Sequence, residues 1–143
     1  MKKILILFLI ITVSLFGQVR EVSSDGMCLT EIKTKTQDNN EFLISIFQHD
    51  EALDFTVHLA GVFAGDETAS MEIEDLFLDT PTFYNTSCWF EITKVKDMKY
   101  ILQKIIEGKK MHFRIRYSNY SIDFSKYKND IIKSKLYNYI MKL

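Results

Sequence analysis

The sequence predicts an α+β fold: a mostly antiparallel β-sheet or β-sandwich of about seven strands with two helices packed on it. Three observations carry that expectation. Up to Thr93 apolar residues repeatedly alternate with polar ones, the period of half-buried strands. The period becomes helical at Met98, Ile101, Leu102, Ile105 and Ile106, returns to two, and ends helical. At 143 residues the chain is long enough for one core and short for two, so residues 18–143 read as a single domain.

The elements follow in order. Residues 18–26 are polar and read as a loose N-terminal arm. Met27 to Lys35 forms a first strand and the β-branched run Phe42 to Gln48 a second. Leu53, Phe55, Val57 and Leu59 alternate with Asp54, Thr56 and His58 in a third. The polar turn His49-Asp50-Glu51-Ala52 makes strands two and three a hairpin, and residues 64–68 turn again. Met71, Ile73, Leu76 and Leu78 predict a fourth strand whose phase slips at Asp75, where a bulge is expected. Asp79-Thr80-Pro81 ends it, and Cys88, Phe90 and Ile92 alternate in a fifth. Asp97 is expected to cap the first helix and Gly108 to close it. Met111, Phe113, Ile115 and Tyr117 alternate with His112, Arg114 and Arg116 in a sixth strand; Tyr120, Ile122 and Phe124 make a seventh. Ser125 opens the final helix, with Ile131, Ile132, Leu136, Tyr139 and Ile140.

Residues 1–17 read as a signal peptide. Lys2 and Lys3 precede an apolar run from Ile4 to Phe16, too short for the ~20 residues of a spanning helix. Cleavage is expected after Gly17, with Ser23 or Ser24 as nearby alternatives and an uncleaved anchor as the competing reading. The expected location is periplasmic or secreted, with no transmembrane span in the mature chain. In an oxidising compartment the two cysteines, Cys28 and Cys88, are expected to form a disulfide, the alternative being two buried thiols. Closing a loop of about sixty residues would contribute up to ~4 kcal/mol.

Charge is divided along the chain. Residues 18–93 carry a net charge of −12 and residues 94–143 one of +9, although the whole chain is −1. The bland consequence is that the halves pack together and neutralise each other. The functional one is a basic face built from Lys109, Lys110, Arg114, Arg116, Lys126, Lys128, Lys133 and Lys135. Such a face fits an acidic protein or an anionic envelope component. Nucleic acid is not the expected partner of an exported chain with this overall charge.

Catalytic motifs are missing. There is no Gly-x-Ser-x-Gly, phosphate-binding loop or dinucleotide fingerprint. His49, His58 and His112 show no metal-ligand spacing, and the acidic run from Asp66 to Asp79 lacks calcium-loop spacing, so no metal and no cofactor are expected. Cys88 paired with a histidine is the one nucleophile–base combination to weigh. Trp89 beside Glu91 would mark a contact site if it lies on the solvent face.

From Cys88 the layout runs strand, helix, Gly-Lys-Lys, amphipathic strand, then Ile122-Asp123-Phe124-Ser125-Lys126-Tyr127 leading into a closing helix. Residues 88–140 resemble the C-terminal half of the invasion-associated locus B group of exported proteins. The resemblance implies a periplasmic β-rich module and transfers no active site; the Gly and the second Cys near Cys88 expected in that group are missing. The leading expectation is an exported, non-enzymatic binding domain. The alternatives are an inhibitor of an exported enzyme, a small exported hydrolase using Cys88 and a histidine, and a self-associating envelope protein. The oligomeric state is not legible.

Overall fold

The computed structural model describes residues 18–24, 27–35, 41–49, 52–60, 68–85, 87–115 and 117–143. The fold is α+β, built on two antiparallel sheets. Its strands are β1 (Gln18–Ser24), β2 (Met27–Lys35), β3 (Glu41–His49), β4 (Ala52–Ala60), β5 (Ala69–Ile73), β6 (Leu76–Leu78), β7 (Thr82–Tyr84), β8 (Ser87–Glu91), β9 (Met111–Ile115) and β10 (Ser118–Ile122). The helices are α1 (Val95–Ile106), α2 (Lys128–Lys133) and α3 (Lys135–Lys142), with a 3-10 turn at Ser125–Tyr127. The larger sheet has six strands in the order β1-β2-β3-β4-β8-β7; the smaller has four, β10-β9-β5-β6.

Alternation decides which face each sheet buries. In the large sheet Val19, Ile32, Ile44, Val57 and Phe90 lie in one cross-strand row, and all but Val19 are fully buried. In the small sheet Phe113 pairs with Met71 and Met111 with Ile122, again buried. These two apolar faces meet. Phe113 of β9 stacks edge-on against Phe42 of β3 at 4.9 Å between ring centroids and lies 6.0 Å from Phe90 of β8. Phe124, just after β10, is 5.3 Å from Phe42. Each buried Phe contributes about 2–3 kcal/mol. Helix α3 packs on β2 and β3, and α1 packs on α2 and α3.

Four expectations are corrected, three in the chain path and one at a helix cap. The loose arm is strand β1, paired along its whole length with β2. Its Glu21 faces inward and accepts a hydrogen bond from the Lys135 backbone N–H at 2.6 Å, at the start of α3. The bulge at Asp75 is a tight reversal: Ile73 pairs with Leu76, Glu74 has a φ of 51°, and the fourth strand becomes β5 and β6. The final helix is broken at Ser134, whose backbone is extended. The Ser134 hydroxyl donates to the Ile131 carbonyl at 2.8 Å and accepts from the Tyr137 N–H at 3.2 Å, so one residue closes α2 and caps α3. Residues 1–17, and most of the expected turn at 64–68, lie outside the described residues.

The limits of α1 show which local signals hold. Gly108 closes it with a φ of 82°; its N–H reaches the Ile105 carbonyl and the Lys109 N–H the Lys104 carbonyl. Asp97 is not the cap. The helix starts two residues earlier, after Lys94, and Asp97 sits in its first turn, where a negative charge opposes the helix dipole.

Candidate binding surface

The cysteines lie apart. Both thiols are free. Cys28 is on β2 and Cys88 on β8, three strand spacings apart in the sheet order, and their rows cross β4 at Leu53 and Leu59. At about 4.8 Å per strand and 3.3 Å per residue their Cα atoms are roughly 25 Å apart. A disulfide spans less than ~7 Å between Cα atoms, so the expected Cys28–Cys88 bridge does not fit this fold. The Cys88–histidine pair fails for a related reason. Cys88 is wholly buried on the inner face, and burial pushes its thiol up to about 12. Its neighbour Trp89 pairs with His58 on the opposite face of the sheet. His112 faces outward from the other sheet. The backbone of His49 pairs with Ala52 at the β3–β4 hairpin.

The outer face of the small sheet is polar. Ser121, His112, Glu72 and Phe77 form one cross-strand row, and Asn119, Arg114 and Ser70 the next. They line a groove of about 370 Å³. Ser121 also lines a second hollow of about 350 Å³ with Thr34, Lys35, Asp123, Ser125 and Lys126. Here Asp123 accepts a hydrogen bond from the Ser125 N–H at 2.8 Å. The Ser125 hydroxyl and N–H hold the Asp123 carboxyl below its usual range, helped by the charges of Lys110 and Lys126. The Lys126 ammonium sits 4.8 Å from the Tyr127 ring centroid.

The eight basic residues named from the sequence therefore separate. Arg114 lines the groove and Lys126 the adjoining hollow, with Lys110 acting on Asp123 beside it. Lys109 is paired with Glu74 at 3.5 Å. Lys128 and Lys133 are exposed at the two ends of α2. Lys135 acts electrostatically on Cys28 near the start of β2, whereas Lys126 shares a hollow with Thr34 near its end, about 20 Å along the strand. Arg116 lies outside the described residues. Sequence reasoning missed Thr34, Ser121 and Ser125, because single hydroxyls in strands and turns carry no periodic signal.

The outer face of the large sheet holds the aromatic residue singled out earlier. Trp89 is half-buried there, its ring edge-on to His58 at 6.3 Å. On the same face of the sheet, toward its β1–β2 edge, Lys33 pairs with Glu41 at 3.0 Å and Arg20 with Glu31 at 3.9 Å.

Among the described residues no helix is long and apolar enough to cross a membrane, and no three His, Cys, Asp or Glu side chains converge as a metal site would require. Comparison with protein families, curated proteins and solved structures finds no match.

Proposed function

We infer that this is an exported, periplasmic or secreted binding domain, non-enzymatic, that recognises an acidic protein or anionic envelope component. Its recognition surface is the basic strip along β9, β10 and the following 3-10 turn. The reading is supported by one observation above the others: two adjoining hollows that share Ser121 bring Arg114 and Lys126 to one side of the molecule. The leader-like residues 1–17 support export, and the likeness to the invasion-associated locus B group is consistent with it. Inhibition of an exported enzyme is a special case in which the acidic protein is that enzyme. A cysteine hydrolase finds no support in a wholly buried Cys88.

Co-sedimentation with phosphatidylglycerol vesicles, against phosphatidylcholine vesicles, tests the surface. The double reversal Lys110→Glu, Arg114→Glu is expected to abolish capture, and capture by the parent chain is expected to weaken as salt rises. Capture unchanged by the double reversal rejects the basic strip.

A further inference from the structure

Resting on the reading of the basic strip as a ligand-binding surface, and narrowing its ligand, we propose that the groove on the outer face of the small sheet binds an acidic saccharide, a sugar that carries a carboxylate. Arg114 supplies the charge. It lines the groove and has no ion-pair partner among the described residues. Its planar fork matches a carboxylate through two parallel hydrogen bonds. Glu72 lines the same groove, also without an ion-pair partner among the described residues. A bare oxyanion, or a polymer with nothing but negative charge to offer, is disfavoured by that carboxylate. A sugar acid uses both groups: its hydroxyls donate to Glu72 while its own carboxylate accepts from Arg114.

Phe77 supplies an apolar platform. It is 57% exposed on the outward side of the short edge strand β6, so the core makes little use of its ring, and it lines the groove. An aromatic surface in that position suits the C–H face of a pyranose ring. Ser70, Asn119 and Ser121 line the remainder with hydroxyl and amide groups that both donate and accept, as neighbouring sugar hydroxyls do. The centre of a protein–protein interface is instead rich in apolar and aromatic side chains and poor in Ser and Glu, so this lining favours a saccharide over an acidic protein. The dimensions agree. Phe77, Glu72, His112 and Ser121 stand on four successive strands, with Arg114 one row away. At the usual strand and residue spacings the Phe77 and Arg114 Cα atoms are roughly 12 Å apart. One ring over Phe77 and the carboxylate of the next at Arg114 bridges that distance, and about 370 Å³ holds a disaccharide.

The full chain is titrated by calorimetry with trigalacturonate, with its methyl ester, which keeps the sugar and removes the charge, and with poly-glutamate. Phosphatidylglycerol vesicles are sedimented in parallel. Arg114→Gln and Phe77→Ala are each expected to weaken trigalacturonate binding about tenfold, and the methyl ester to bind the parent chain about tenfold more weakly than the acid. Glu72→Gln decides by its sign. Loss of the hydroxyl contacts weakens sugar binding about threefold, whereas simple charge attraction grows stronger once a negative charge is removed. Trigalacturonate binding that Glu72→Gln does not weaken, or that Phe77→Ala leaves untouched, refutes the saccharide site. Poly-glutamate bound as tightly as trigalacturonate refutes it in favour of an acidic protein. Vesicle capture that Lys110→Glu, Arg114→Glu abolishes, without any trigalacturonate binding, refutes the saccharide and leaves the basic strip standing. If the parent chain binds none of the probes, both fall. The three substituted residues are exposed. Should Phe77→Ala nevertheless melt early, Glu72→Gln and the methyl ester still decide.

Discussion

Cys88 illustrates how one side chain's surroundings fix its chemistry. With its thiol raised to about 12 by burial, the folded protein keeps a proton that the unfolded chain releases near the ordinary value of 9.0. The contribution to stability is complete below that ordinary value and is lost as pH rises toward the folded one. Between the two, stability falls by at most about 1.4 kcal/mol per pH unit from this group. Urea unfolding at about pH 8.5 and pH 10.5 is expected to show a smaller decline for Cys88→Ala than for the parent. An equal decline in both would mean the thiol reaches solvent in the native state. Burial of this kind was only half visible in the sequence: the alternation of Cys88 with Phe90 placed it on an apolar face. The partner expected for it, Cys28, was chosen by count, and a count contains no distance.

Among the elements, the break between α2 and α3 rests on one serine. Ser134 is buried, and its hydroxyl serves both helices. The Asn138 amide adds bonds to the Ile132 and Ser134 carbonyls. Ser134→Ala should cost about 1–2 kcal/mol, read as a lower thermal midpoint, with Ser134→Thr recovering part of it. No loss in the alanine variant would show that the kink is held by packing alone. Strands with strict alternation, β2, β4 and β9, were legible because each buries one face against a partner. β1 was not, because its inward positions are Val19 and the charged Glu21 while Val22 faces solvent. What makes it a strand is its pairing with β2 and the distant start of α3. The β5–β6 reversal was hidden for another reason: Glu74 adopts a left-handed conformation that a sequence reader reserves for glycine or asparagine. The same limit applies to the candidate surface, where the charges of Arg114 and Lys126 could be read and the hydroxyls beside them could not.

For the molecule as a whole, β1 constrains where the proposed leader could end. Trimming after Gly17 leaves Gln18–Ser24 paired with β2. Trimming at Ser23 or Ser24 would delete the strand, strip an edge of the six-stranded sheet and remove the Glu21 carboxylate from Lys135. With residues 1–17 as the leader proposed above, terminal sequencing of the mature chain is expected to start at Gln18, and a start beyond Ser24 would contradict a role for β1 in the fold. The separation of negative and positive halves also gains a structural meaning. Lys109 meets Glu74, and the Tyr100 hydroxyl receives the Asp75 N–H at 3.2 Å, so the C-terminal half partly neutralises and braces the N-terminal one.

The contact between Glu21 and Lys135 joins residues 114 positions apart. Helix α3, which shelters the inner side of β2 and β3, spans Lys135–Lys142. Residues 135–142 must therefore be in place before the hairpin of β2 and β3 can be roofed over. Until then the inner side of that hairpin lacks its cover, so the slowest amide exchange in β2 and β3 is expected to depend on α3 being docked.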